Sequence, residues 1–250
     1  MDRGRFFLYK HPMSGIRINK YIASAGAVSR RKADELLAAG RVSVNGRKAC
    51  LGETVDPHTD EVTVDGRKIS AQRPMYAAMY KPKYVVTTMH DPEGRQCVKD
   101  LIPRRFTGVF PVGRLDFDAE GLILLTNDGD LAHTLHHPNF DIPKTYIVKL
   151  IPPATQEQLG KMAQGVELDG NVTRPADIVP MRSHARGSTV RITLRQGLKN
   201  QIKRMAEAVG LEVTSIKRIS VGPISVRGIL PGQVRELTPP EIKKLHKILK

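Results

Sequence analysis

Three carboxylates crowd one short stretch: Asp116, Asp118 and Glu120, with Arg114 beside them, stand between Gly113 and Gly121 in a chain whose formal charge is +15. A carboxylate so placed can serve as a nucleophile or as a general base toward a sugar or another electrophile. Negative charge beside a bound polyanion is unfavourable unless it performs a task. The segment alone leaves catalysis and a plain ion pair with Arg114 equally open. It lacks the ligand pattern of a calcium loop. An acid and base pair of Asp116 with Glu120 would suit a hydrolase, but both lie on one loop and no second motif requires it.

Other residues could assist such a carboxylate. Tyr146 sits in the alternating run Lys144-Thr145-Tyr146-Ile147-Val148, which predicts a strand, and an isolated strand tyrosine is by default a core residue. Lys199, Lys203 and Arg204 crowd the start of a helix whose apolar face is Ile202, Met205, Ala206 and Val209 and which ends at Gly210. Cations there oppose the helix dipole, which a bound phosphate would offset. His133, His136 and His137 invite a metal, but no carboxylate set accompanies them and no metal is expected.

The elements that must position these groups follow from periodicity and turns. Residues 122–125 form a continuous apolar run bounded by turn residues, consistent with a strand buried on both faces, which holds the acidic loop against the core. Tyr80-Lys81-Pro82-Lys83-Tyr84-Val85-Val86 predicts two strand pieces around a proline turn, and residues 241–249 a closing basic helix. Upstream, Ile18, Tyr21, Ile22 and Ala25 recur at helical spacing and Gly26 stops the helix. Ser29 caps a second helix with Ala33, Leu36 and Leu37 inside, and Val42, Val44 and Asn45-Gly46 predict a hairpin. Arg30, Arg31 and Lys32 fill the first turn of that second helix; with Arg17, Lys20, Arg41, Arg47 and Lys48 they make eight basic residues against Asp34 and Glu35. Strands containing Val62, Val64 and Ile69 precede a hinge at Ala71-Gln72-Arg73-Pro74. The chain thus divides into a basic tail, 1–14, expected to be disordered, a small module, 15–73, and a larger domain, 74–250.

With 250 residues and 40% hydrophobic content the chain can bury a substantial core. Forty lysines and arginines against 25 acidic residues point to a polyanionic partner, nucleic acid first. No segment approaches the ~18 to 20 apolar residues that span a bilayer, and the apolar stretch at residues 6–9 is too short for a signal peptide. Cys50 and Cys97 have no paired spacing and suit a reducing cytoplasm.

Two stretches carry a family resemblance. The run from Ile16 to Gly46, with Ile-Arg-Ile-Asn-Lys-Tyr-Ile-Ala-Ser-Ala-Gly, Ser-Arg-Arg-Lys-Ala and Gly-Arg-Val-Ser-Val-Asn-Gly, resembles the S4-like RNA-binding domain. Gly113-Arg114-Leu115-Asp116, then Gly121-Leu122 and Leu125-Thr126-Asn127-Asp128-Gly129, is similar to the signature of ribosomal RNA pseudouridine synthases of the RsuA/RluB type. The resemblance implies an α+β fold: a small N-terminal helix and hairpin RNA-binding domain, then a catalytic domain with a mixed, mainly antiparallel β-sheet flanked by helices. It implies that Asp116 is catalytic, that Tyr146 packs against the target uracil and that Arg114 fills the place of a flipped nucleotide. Lys203 stands where the family has an arginine contacting the catalytic Asp, and Ala119 where it usually has threonine. Arg17, Lys20, Arg30, Arg31, Lys32, Arg41, Lys199 and Arg204 are the expected RNA-binding residues. The implied partner is ribosomal RNA, of the large subunit in preference to the small, or an assembly intermediate. The enzyme would act as a monomer, without a cofactor, in the cytoplasm. A non-catalytic RNA-binding or ribosome-assembly factor is the alternative, and Lys203 is its best support.

Overall fold

The computed structural model describes residues 15–26, 28–136 and 140–248. The expected tail, 1–14, and His137 lie outside them. Two compact units divide at Arg73 and Pro74.

The first unit contains β1 (Ile16–Arg17), α1 (Ile18–Ser24), α2 (Arg30–Ala38), β2 (Val42–Val44), β3 (Arg47–Lys48), β4 (Thr54–Val55), β5 (Val62–Val64) and β6 (Arg67–Lys68). Ser29 caps α2 through its hydroxyl, which accepts from the Lys32 N–H at 3.2 Å. Asn45 and Gly46 take φ of 51° and 81°, the left-handed pair that a two-residue hairpin between β2 and β3 demands. Antiparallel β3-β2-β5-β6 forms one sheet, and β1 pairs β4. Ile18, Tyr21, Ile22, Ala33, Leu36 and Leu37 close a core against Val42, Val44 and Val62, so the helical and strand periods point to the same interior. Ile69 lies just past β6 and packs on this core.

The second unit runs β7 (Tyr76–Lys81), α3 (Val98–Leu101), β8 (Phe110–Val112), β9 (Glu120–Thr126), α4 (Gly129–His136), β10 (Lys144–Ile151) and α5 (Gln156–Gln164). It continues through β11 (Glu167–Leu168), β12 (Asn171–Val172), β13 (Asp177–His184), β14 (Gly187–Leu194), α6 (Gln201–Glu207), β15 (Glu212–Val221), β16 (Ile224–Ser225), β17 (Val234–Glu236) and α7 (Pro239–Lys247). A nine-stranded sheet has the order β13-β14-β10-β15-β9-β7-β17, with β8 on β9 and β16 on β15. Its pairings are antiparallel except β9 with β15. This is the mixed, mainly antiparallel α+β architecture expected from sequence.

The apolar run of β9 is explained by two cores. Ile123 and Leu125 enter one, with Leu159 and Met162 of α5 and Met205 of α6; Leu122 and Leu124 enter the other, with Leu131 and Leu135 of α4 and Leu245 of α7. Alternate side chains point to opposite faces, so a strand covered on both sides is apolar throughout.

Two local expectations give way. The chain after Pro82 is not a strand: β7 ends at Lys81, and Val86 makes only one bridge, to Cys97. The proline supplies no N–H to a ladder, and Tyr84 follows at φ 63°, a conformation no strand contains. The helix expected to reach Val209 stops at Glu207, and Leu211 N–H bonds back to Ala206 while Gly210 takes φ 76°.

Candidate active site at the β8–β9 loop

The acidic loop emerges where β9 changes neighbours. β8 pairs with the later part of β9, up to Leu124, and β15 pairs with its first residues, Glu120 and Gly121. Residues 113–119 fill the junction. Leu115 and Ala119 are buried and anchor the loop, whereas Arg114, Asp116, Phe117 and Asp118 project into solvent. Gly113, at φ 74°, allows the chain to turn out of β8.

Gly121 is dictated by a close approach. Its φ is 114°, and a Cβ there would stand 2.2 Å from the Arg218 carbonyl oxygen and 2.7 Å from the Arg218 nitrogen. No other residue lets β9 and β15 come together at this point.

Long-range contacts then fix the loop backbone. Thr87 grips Leu115 twice: its hydroxyl donates to the Leu115 carbonyl at 2.7 Å and accepts from the Leu115 N–H at 3.2 Å. Tyr84 N–H donates to the Phe117 carbonyl at 2.6 Å, and Ala119 N–H closes a turn onto the Asp116 carbonyl at 3.1 Å. Lys81, fully buried, ties down the segment carrying Tyr84 and Thr87 by donating to the Pro82 and Val85 carbonyls, both at 2.8 Å. Burial pushes the Lys81 ammonium down to about 8, against the pull of Asp118 and Asp116.

Arg218, 3% exposed, is the other clamp. Its Nε donates to the Leu122 carbonyl at 2.7 Å and its Nη1 to the Arg114 carbonyl at 3.3 Å, so one guanidinium touches the chain on both sides of Asp116. Its Nη2 is buried without a hydrogen-bond partner. Arg218 pairs across the sheet with Tyr146, and Val148 with Ile216, which puts Tyr146 and Arg218 on the face that bears the α5 and α6 core. Lys144 lies on this face two residues before Tyr146, and burial, with Arg218 nearby, holds its ammonium below the usual lysine range. Tyr146 itself is 9% exposed, its ring mostly within the core.

The expected partnership of Lys203 with Asp116 is not formed. Lys203 Nζ meets both carboxylate oxygens of Asp118, at 2.6 and 2.8 Å, and holds that carboxyl below the ordinary range. Facing Asp116 instead is the Asn200 amide, whose nitrogen, in the orientation that satisfies both groups, donates to the two oxygens at 3.0 and 3.2 Å. Asn200 can do this because it takes φ 51° at the N-terminus of α6, a conformation that asparagine tolerates better than most residues. Glu120 accepts from the Tyr80 hydroxyl at 2.7 Å, which removes it from an acid and base pair with Asp116.

The remaining expected residues divide by partner. Arg114 is exposed and its side chain makes no hydrogen bond or ion pair among the described residues. Lys199 is exposed, while Arg204 bonds Asp169 at 2.6 Å. In the first unit Arg30 and Arg31 are exposed at the start of α2, Lys32 pairs with Glu35, Arg41 forms a two-pronged pair with Asp65, Arg17 donates to the Gly52 carbonyl, and Lys20 is half-buried in α1. No cluster of three or more metal-ligating side chains occurs among the described residues.

Arg218, Asn200, Thr87 and Lys81 were missed as site residues. Their signals were slight: one lysine ending an apolar strand before a proline, one threonine a few residues beyond it, one arginine within another strand, and an asparagine beside Lys199 at the start of a helix.

Residues 75–208 match the family model for RNA pseudouridylate synthases, and residues 16–62 that of the S4 domain. The chain is 41% identical to the ribosomal large subunit pseudouridine synthase B of Bacillus subtilis over 92% of its own length and 95% of the relative's. It is 40% identical to an uncharacterised RNA pseudouridine synthase of Aquifex aeolicus, over 94% and 95% respectively. It is 38% identical to the dual-specificity RNA pseudouridine synthase RluF of Escherichia coli, over 95% and 81%. A crystal structure of a pseudouridylate synthase superposes with a TM-score of 0.67 and 28% identity, covering 92% of this chain and 99% of that one.

Proposed function

Since the chain belongs to the RNA pseudouridylate synthase family, we propose that it converts uridine in large-subunit ribosomal RNA to pseudouridine, with Asp116 as the reacting carboxylate. In this isomerisation the bond from ribose to nitrogen 1 of uracil breaks, the ring turns, a bond to carbon 5 forms, the carbon 5 proton leaves to solvent, and nitrogen 1 takes up a proton in its place. Nothing is oxidised or reduced, and no energy source enters.

The observation that carries the assignment is the immobilisation of Asp116. An exposed carboxylate stands on a loop whose backbone is tied by Thr87, Tyr84 and Arg218, and Asn200 lies against its oxygens. A surface carboxylate without a task needs no such frame; one that must meet a ribose carbon at reacting distance does. Arg218, on the Arg114 carbonyl, and Lys81, near enough to interact with Asp116, set cations behind the loop, so a carboxylate can approach RNA with less repulsion.

The target base is reached only out of the helical stack, at a cost of a few kcal/mol. Arg114, free and two residues from Asp116, fills the vacated position. Tyr146, paired with Arg218 across the β10–β15 ladder, supports the uracil ring. The S4 module, with Arg30 and Arg31 exposed at the start of α2, contributes phosphate contacts that orient the RNA but carry no chemistry. The protein works as a monomer in the cytoplasm.

Incubation with ribosomal RNA tritiated at uracil carbon 5 tests this reading. Wild type should release tritium from large-subunit RNA and Asp116→Asn should release none. Absence of release from every ribosomal RNA fragment would refute the activity, and release by Asp116→Asn would refute the site.

A further inference from the structure

Two large aromatic rings stand in solvent beside Asp116. Tyr84 is 64% exposed and Phe117, the residue after Asp116, is 47% exposed. Their rings meet edge to face, with centroids 5.6 Å apart and planes at 63°, an arrangement that leaves ring faces uncovered. Their backbones are joined as well, through the Tyr84 N–H and the Phe117 carbonyl. Tyr84 makes that bond at φ 63°, a conformation that bulky side chains disfavour. A glycine or asparagine would hold the same turn with less strain and no exposed ring. The free protein gains from these aromatics only the edge contact between the two rings, which leaves both largely in solvent.

The surroundings identify what would use the exposed rings. Tyr84 lines one polar cavity together with Lys83, Asp118, Lys203 and Thr214, so cations flank the rings. The chain as a whole carries +15. Open aromatic faces bordered by lysines form a stacking platform for unpaired nucleobases, in which rings take the bases and cations follow the backbone. An apolar protein surface would suit the rings but not the lysines.

We propose that Tyr84 and Phe117 form a stacking subsite for an unpaired RNA base neighbouring the nucleotide that Asp116 receives. The inference rests on the pseudouridine synthase reading of Asp116, and it adds a requirement on the substrate: the target uridine lies in an unpaired or opened segment, with at least one neighbour free to stack. Stacking recognises any base by its face, so the subsite selects for local structure more than for sequence.

The test uses the full chain and an RNA hairpin whose unpaired loop carries 5-iodouridine, a photoreactive base that crosslinks to stacked rings. Irradiation should give adducts on the peptides containing Tyr84 or Phe117. Tyr84→Leu and Phe117→Leu should abolish the corresponding adduct and weaken hairpin binding about 5-fold or more, whereas Tyr84→Phe and Phe117→Tyr should retain both. Adducts confined to other residues, or leucine variants that bind as tightly as wild type, would overturn the subsite. Tritium release by the wild type from C5-tritiated ribosomal RNA, measured in parallel, separates the two claims: release without adducts sinks the subsite alone, and adducts with no release from any ribosomal RNA fragment sink the enzymatic reading while leaving RNA stacking at this place.

Discussion

Replacing Arg218 with methionine separates the stability of the loop frame from its function. The substitution removes a buried charge-assisted bond of 2.7 Å to the Leu122 carbonyl, worth about 1.5 to 3 kcal/mol, and a weaker 3.3 Å bond to the Arg114 carbonyl. It also removes the desolvation cost of a cation with no carboxylate at salt-bridge distance among the described residues, and an Nη2 donor without a partner. These terms oppose, so the net loss should stay within about 2 kcal/mol, equivalent to roughly 4 to 8 °C in Tm for a unit of this size. The loop, in contrast, loses its tie on both sides of Asp116. A displacement of about 1 Å at a reacting group costs on the order of 100-fold. The expected signature is therefore a modest Tm change with a kcat for tritium release lowered about 100-fold, partly restored in Arg218→Lys, which can reach one carbonyl but not both. A kcat within about threefold of wild type would refute the clamp. A Tm fall large enough to leave the protein unfolded at the assay temperature would show instead that Arg218 is a foundation of the fold.

Further outcomes follow from other contacts. Lys203→Met breaks an ion pair with a half-exposed Asp118, so its stability cost should be under about 1 kcal/mol by denaturant titration, and Asn200→Ala should lower kcat more than it does. The reverse order would restore Lys203 as the support of Asp116. The Lys81 ammonium, at about 8 when folded against 10.5 unfolded, holds fewer protons in the native state between those values. The wild type should thus gain stability relative to Lys81→Met as pH rises from 8 to 10.5, by up to about 1.4 kcal/mol per unit; a flat difference would contradict the burial of that charge. In acid, Glu241 is held near 2 mainly by its bond to Arg235, so the stability it lends α7 should be present above pH 4.5 and fade as pH falls toward 2, an effect absent from Glu241→Gln. Arg30→Ala with Arg31→Ala should weaken ribosomal RNA binding and lower the slope of log K against log salt by about 1.5, and an unchanged slope would remove these residues from the interface.

Local chemistry made much of the molecule legible from sequence. The α2 cap at Ser29, the Asn45-Gly46 turn and the two-faced burial of residues 122–125 each depend on dihedral preferences and side-chain period within a few residues. The same local logic misjudged residues 84–86, because a β-rich composition says nothing of the left-handed turn that Tyr84 adopts to reach Phe117.

By itself the sequence determined the family, the two-part organisation of its motifs and the loop that carries Asp116. Only the tertiary structure decided which groups surround that carboxylate. Lys203 finds Asp118 across 85 residues, and Arg218 reaches Leu122 across 96 and Arg114 across 104. At such separations a contact is fixed by strand order and register, here the parallel step that seats Gly121 against Arg218, and a one-residue change in register turns every side chain to the other face.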